Sequence, residues 1–388
     1  MKNFHHLPPV FILSLLLPFL TQGREPSASR SDTLWASLAP YCTPPTEYAG
    51  RYGDYRSPLR FYDGTPVKKP TDWQRRREEI RERWMTMMGP WPPPVKRNEM
   101  TILDTLRKER YAQHRVRLRW TPGEETEGYL LLPYATAAGH RTHPAVITVF
   151  YEPETSVGIG GKPHRDFGRL LADRGFVVLS VGTARATREK TYSLFYPDID
   201  SAVVEPLSML ACAAANALGS LALRPEVDPD RIGIAGHSFG GKWAMFASCL
   251  CDGFACAAWS DPGIVFDESK SAVNYWEPYY LGYVAPPWRK RGDITPENPA
   301  CGLYPRLVRE GYDLHELHAL MAPRPFLVSG GSCDPAERWI ALNHTIAVNR
   351  LLGFENRVLM TNRPEHSPNA ESNEILCRFF EYFLRPTP

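Results

Sequence analysis

Asp228–Lys242, DPDRIGIAGHSFGGK, is the stretch on which the reading of this chain turns. Ile232, Ile234 and Ala235 make a short apolar run that reads as a buried strand. Gly236-His237-Ser238-Phe239-Gly240 then fits G-x-S-x-G, and Lys242–Leu250, KWAMFASCL, reads as a helix. A serine on a tight turn between a strand and a helix is a nucleophile elbow. Glycines at 236 and 240 spare the strand and the helix a clash between β-carbons. The turn strains the serine backbone and presents Ser238 on a sharp bend. The amide of Phe239, at the helix N-terminus, then faces any oxyanion that forms.

Outward from the elbow, apolar runs and helical patterns alternate. His114–Trp120 and Glu127–Tyr134 flank the turn TPGEE as a hairpin. Ala145–Phe150, AVITVF, and Phe176–Val181, FVVLSV, are continuous runs, as strands buried on both faces should be. Helices are expected over 166–174, 200–223, 313–320, 336–352 and 371–384, and further strands over 255–260, 325–329 and 357–361. A hairpin followed by strands alternating with helices predicts an α/β fold with a mostly parallel sheet covered on both faces. Residues 262–312, rich in Trp, Tyr and Pro, read as an insertion after the sixth strand that walls or covers the site. Residues 24–110 read as an N-terminal extension carrying one amphipathic helix. Its start is set by a capping box at Thr71–Gln74, and Gly89-Pro90 supplies the stop. The charged run RRREEIRER on that helix alternates in sign and reads as a solvated face.

Bulk properties narrow the function classes. A net charge of +2 gives no reason to invoke nucleic acid. Lys2, the apolar run Val10–Leu20 and the small residues Thr21 and Gly23 form the pattern of a secretory signal peptide over 1–23. The run is too short to span a bilayer comfortably, so a secreted or periplasmic protein without membrane insertion is expected. Eight cysteines permit disulfides in that compartment but do not show them, and none has metal-finger spacing. No structural metal and no cofactor are expected.

A serine needs a base to take its proton, and the base needs an acid to fix its tautomer. In such sheets the partners follow in the order Ser…Asp…His, each on a loop after a strand. His366, in NRPEHSP after strand 357–361, is the expected base. Asp334, in GGSCDP after strand 325–329, is the favoured acid because its strand precedes the histidine strand. Asp261, after strand 255–260, is the rival for that role, or else begins the insertion and contacts substrate. His237 is expected to point away from the nucleophile. His315 and His318 lack the H-E-x-x-H spacing and read as solvated or capping residues. The second oxyanion donor should follow strand 145–150, where Tyr151 is the choice; Pro153 has no amide to give. Lys242, Trp276 and Glu277 are candidate substrate contacts, since sugars stack on aromatic rings and bond to charged groups.

VDPDRIGIAGHSFGG, the acid loop and the histidine loop together resemble α/β-hydrolase-fold serine esterases of the dienelactone hydrolase and acetyl xylan esterase type, over roughly residues 110–385. Trp73…Arg75-Arg76…Glu79 followed by Gly89-Pro90 also resembles the N-terminal helix of bacterial carbohydrate esterases, including glucuronoyl esterases. Those enzymes carry G-x-S-R-x-G-K at the elbow. Gly236, Ser238, Gly241 and Lys242 match, whereas Phe239 stands where their oxyanion arginine would be. The resemblance implies a secreted Ser-His-Asp esterase that removes acyl groups from polysaccharides, with uronate-ester cleavage as the alternative. A peptidase gated by a propeller would need far more than the roughly 110 residues before the first strand. A non-catalytic binding protein of this fold usually loses the serine or the histidine, and both are kept. Asn343-His344-Thr345 is a glycosylation sequon, but it falls within an expected helix.

Overall fold

Three successive antiparallel strands, then short buried runs that alternate with helices, give this chain one mixed nine-stranded sheet. The structure is a computed structural model that describes residues 30–96, 99–134, 142–183 and 192–385. The signal-peptide segment, 1–23, lies outside the described residues. The strands are β1 (Thr101–Arg107), β2 (Tyr111–Thr121), β3 (Glu124–Pro133), β4 (His143–Phe150), β5 (Val177–Gly182), β6 (Val227–His237), β7 (Cys256–Ser260), β8 (Phe326–Gly330) and β9 (Val358–Asn362). Their spatial order is β1-β2-β3-β5-β4-β6-β7-β8-β9. Neighbours from β1 to β5 pair antiparallel, and those from β5 through β4 to β9 pair parallel.

Ten α-helices occur among the described residues: α1 (Arg30–Leu38), α2 (Pro70–Met88), α3 (Pro153–Ser156), α4 (Phe167–Ala172), α5 (Pro206–Ala222), α6 (Phe239–Leu250), α7 (Tyr304–Arg309), α8 (His315–Ala319), α9 (Trp339–Leu351) and α10 (Ala370–Leu384). They cover both faces of the sheet, and the side-chain alternation of each strand decides which core a residue enters. On β4, Ala145, Ile147 and Val149 join the core beneath α5 and α6. Val146 and Phe150 join the opposite core, beneath α4 and α10.

Several expectations need correction. The extension supplies a strand, β1, and a helix, α1, that sequence reading did not find. The aromatic insertion therefore follows the seventh strand rather than the sixth. Helix α5 begins at Pro206 rather than at 200. Helix α2 begins with Pro70 at its first position and Lys69 as an N-cap without a side-chain bond, so no capping box forms. Gly89 does end it, at φ 87°. A β-carbon there would lie 2.1 Å from the carbonyl oxygen of Val203.

Nor is the charged face of α2 simply solvated. Trp73, Ile80, Trp84 and Met88 are buried, and so is Arg76. The Arg76 guanidinium bonds Glu79 at 2.6 Å and the buried Glu316 of α8 at 3.4 Å. Glu316 also accepts from the Trp84 indole at 3.1 Å and the Tyr62 hydroxyl at 3.2 Å. Arg77 and Arg81 both close on Asp252, Arg81 at 2.7 Å. Removing Arg76 would leave a buried carboxylate without its main cation, a loss of about 3–5 kcal/mol. All eight cysteines are free thiols.

Candidate active site

The chain runs from β4 to β5 on one side, then returns to place β6 on the other side of β4. That reversal opens a crevice at the carboxyl ends of β4 and β6, the usual ligand position in open α/β sheets. Both ends carry chemistry, Tyr151 after β4 and Ser238 after β6. Ser238 has φ 57° and ψ −117°, a strained backbone for a residue with a side chain. The strain is imposed by close packing on either side. A β-carbon on Gly236 would lie 2.2 Å from the Gly240 oxygen, and one on Gly240 would lie 2.0 Å from the Val149 oxygen. The Ser238 amide donates to the Ser260 carbonyl at 2.8 Å, which fixes the bend against β7. Phe239 opens α6, where first-turn amides have no intrahelical acceptor.

His366 reaches the serine from the loop after β9. Its Nε2 lies 2.8 Å from Ser238 Oγ. Its Nδ1 lies 2.7 Å from Asp261 Oδ2, not against Asp334. The expectation of Asp334 as the partner is therefore corrected, and Asp261, at the end of β7, takes the place. The Asp261 side chain is buried and accepts the amides of Gly331, Cys333 and Asp334 at 2.6, 3.2 and 2.9 Å. Three amide donors suit an ionised, acceptor-only carboxylate, so Nδ1 carries the proton and Nε2 is free to accept the serine hydroxyl. Asp334 faces the other way. It accepts the amides of Gly263 and Ile264 at 2.8 and 2.6 Å. Burial and then the nearby Asp261 carboxylate push its pKa up. Each aspartate thus braces the backbone beside the other.

Neither a protein-family model nor a curated protein sequence matches the chain. Solved structures do. A glucuronoyl esterase from Solibacter usitatus superposes with a TM-score of 0.65 at 18% identity, over 84% of this chain and 97% of that one. A carbohydrate esterase family 15 glucuronoyl esterase from Caldicellulosiruptor kristjansonii gives 0.60 at 20% identity, over 87% and 92%. A candidate acetyl xylan esterase from Bacteroides fragilis NCTC 9343 gives 0.53 at 16% identity, over 89% and 84%. The fold is that of the α/β hydrolases. At these identities the likeness speaks for architecture, and the chemistry has to be read from the residues.

Within this hydrolase fold the remaining expected site residues divide. The Phe239 ring is buried, and the Tyr151 ring lies flat on it at 4.6 Å and 2°. Tyr192 meets Tyr151 at 4.7 Å, so these rings form an aromatic layer beside the nucleophile. Burial raises the Tyr151 hydroxyl above its usual range. Lys242 is no sugar contact here. It is buried in α6, donates to the Pro262 carbonyl and sits 4.6 Å over the Tyr275 ring. Burial holds its pKa down at about 8. Trp276 and Glu277 are also buried. The indole donates to the Gly292 carbonyl at 3.2 Å, and Glu277 pairs with Arg289 at 3.3 Å. All three brace the insertion from within. Partly exposed rings of the wall include Tyr279 and Trp288, 5.4 Å apart and edge to face.

Sequence reading missed three residues around the base. Arg363 is buried and spans β7, β8 and the histidine loop. It donates to the carbonyls of Ser329, His366 and Ser367 at 2.7, 2.7 and 2.8 Å, and to Ser260 Oγ at 3.3 Å. An arginine two residues past a strand was a signal, but nothing in its spacing says which carbonyls it gathers. His237 does not stand clear of the site. Its ring lies 4.7 Å from that of His366, and its Nδ1 lies 3.1 Å from Ser260 Oγ. Burial first, then His366, keeps it neutral, with a pKa well below the usual range. Cys333 places its sulfur 3.4 Å from His366 Nδ1. Burial pushes its thiol up to about 11. His315 and His318 are buried rather than solvated. Asn343 of the sequon is buried too, with its amide on the carbonyls of Tyr48 and Arg51 at 2.8 and 2.7 Å.

Proposed function

We propose that this protein is a secreted serine ester hydrolase acting on acylated polysaccharide. The observation that carries the reading is the unbroken chain Ser238 Oγ–His366 Nε2, His366 Nδ1–Asp261 Oδ2, at 2.8 and 2.7 Å, built on a strained elbow. His366 takes the Ser238 proton as the oxygen attacks the ester carbonyl. Asp261 holds the imidazole in the required tautomer and stabilises the imidazolium. The oxyanion forms at the N-terminus of α6, against the amide of Phe239, with Tyr151 supplying the second donor. His366 then protonates the departing sugar alcohol and next activates water to free the acid. Among the described residues no helix is long and apolar enough to cross a membrane. Export rests on the signal-peptide pattern at 1–23.

Acetyl-type esters are the favoured substrates. Phe239 stands where the resembled glucuronoyl esterases carry an oxyanion arginine, and its buried ring offers no cationic donor to a uronate ester. Uronate esters are the second reading, favoured by the superposition on two glucuronoyl esterases. Ser238→Ala should lower p-nitrophenyl acetate hydrolysis by at least about 1,000-fold; an unchanged rate would end the serine mechanism. Acetate release from acetylated xylan, measured beside cleavage of methyl glucuronate, separates the substrate classes. Faster cleavage of the uronate ester would reverse the preference stated here.

A further inference from the structure

The acid side of the triad holds more than a carboxylate. Asp261, Cys333 and His366 each offer a ligand atom, a carboxylate oxygen, a thiol sulfur and an imidazole nitrogen, that lie within 4.8 Å of one another, the one such trio among the described residues. Two of its edges are known: carboxylate to imidazole at 2.7 Å and thiol to imidazole at 3.4 Å. The backbone holds the thiol in place, because the Cys333 amide is itself bonded to Asp261. A serine triad needs no sulfur at this position.

We propose that Asp261, Cys333 and His366 form an inhibitory site for a thiophilic divalent cation of the zinc and cadmium class. Oxygen, nitrogen and sulfur in one cluster suit such ions, with water in the fourth tetrahedral position. Bond lengths of such a centre would set the nitrogen and sulfur ~3.6 Å apart and the nitrogen and oxygen ~3.4 Å apart. The first spacing is nearly met already. For the second, the carboxylate has to withdraw from its 2.7 Å approach, and in doing so it gives up its hydrogen bond to the ring. His366 is 36% exposed at its side chain, which gives the ion a route in.

Binding would disable the base by tautomer as much as by occupancy. The ion takes the lone pair at Nδ1, so the single proton of the neutral ring moves to Nε2. The Cys333 proton leaves to bulk water as the sulfur coordinates. Nε2–H then faces Ser238 Oγ and cannot accept its proton. The binding claim stands on geometry alone, while the inhibition rests on the Ser238–His366–Asp261 reading.

The test uses the full chain and two readouts. Titration with cadmium alone, followed by calorimetry and by ultraviolet thiolate-to-metal absorption, should show one tight site. Cys333→Ser should weaken it by at least about 100-fold; Cys301→Ser, altering a partly exposed thiol elsewhere, should not. Zinc should inhibit p-nitrophenyl acetate hydrolysis, with recovery on adding EDTA, and the inhibition constant should rise by a similar factor in Cys333→Ser and Cys333→Ala. Each variant is judged against its own metal-free rate. Equal cadmium affinity in wild type and both Cys333 variants would overturn the site. Tight cadmium binding lost in those variants, in a chain without esterase activity, would uphold the site and remove the catalytic reading instead.

Discussion

Two aspartates, 261 and 334, lie on neighbouring loops at the same edge of the sheet, fully buried and held by backbone amides. They differ in what they face. Asp261 accepts three amides from the β8 loop and turns its remaining lone pair to His366. Asp334 spends its oxygens on the amides of Gly263 and Ile264, the residues just past Asp261. One carboxylate addresses the base; the other holds the first in position. Loop position alone does not distinguish an acid from its brace, because each loop supplies both an aspartate and the amides that the opposite aspartate needs.

The largest effect should come from Asp261→Asn. Losing the acceptor that fixes the tautomer should cost about 10,000-fold in kcat. A stopped assay with p-nitrophenyl acetate checks this, and a loss under tenfold would break the comparison. Asp334→Asn should act mainly on stability. It turns an amide nitrogen toward backbone donors, at a cost of about 1–3 kcal/mol in thermal or urea unfolding. Its rate should fall by roughly tenfold or less, since the catalytic groups stay in place but their brace loosens. Were Asp334→Asn the slower enzyme of the pair, the two roles would have to be exchanged.

A smaller test concerns the root of the insertion. Lys242 has a pKa held at about 8 in the fold, against its ordinary value of 10.5. Between those values the unfolded chain binds a proton that the folded chain lacks, so this lysine makes stability rise with pH across that window. Below it, holding the buried charge costs stability. Lys242→Met should abolish the rise, flattening the pH dependence by ~1–3 kcal/mol between the two ends of the window. Urea unfolding of both proteins at those ends reads it directly.

Much of the fold was legible because its signals are local. The elbow needs Gly236 and Gly240 within a few residues of Ser238, and AVITVF or FVVLSV can hardly be anything but buried strand. His366 was legible because a Pro-flanked loop gives a histidine little else to do. What escaped was set by distant contacts. Strand β1, TILDTLR, is mostly exposed, and pairing to β2 alone makes it a strand. Lys242, Trp276 and Glu277 have polar or aromatic side chains that suit a binding surface, yet the insertion folds over them. Arg76 sits in a run of alternating charge, and distant partners, the buried Glu316 on α8 and the Pro58 carbonyl among them, make it an interior residue.

That last contact bears on how the chain can be divided. Composition places a boundary near residue 110, as though the preceding stretch were an appendage. A protein shortened there would lose β1, the outer partner of β2, together with the Arg76 guanidinium buried against Glu316 and the two α2 arginines that close on Asp252. The shortened chain should be recovered from inclusion bodies rather than as a working catalyst, and any minimal version of this protein has to start before Arg76.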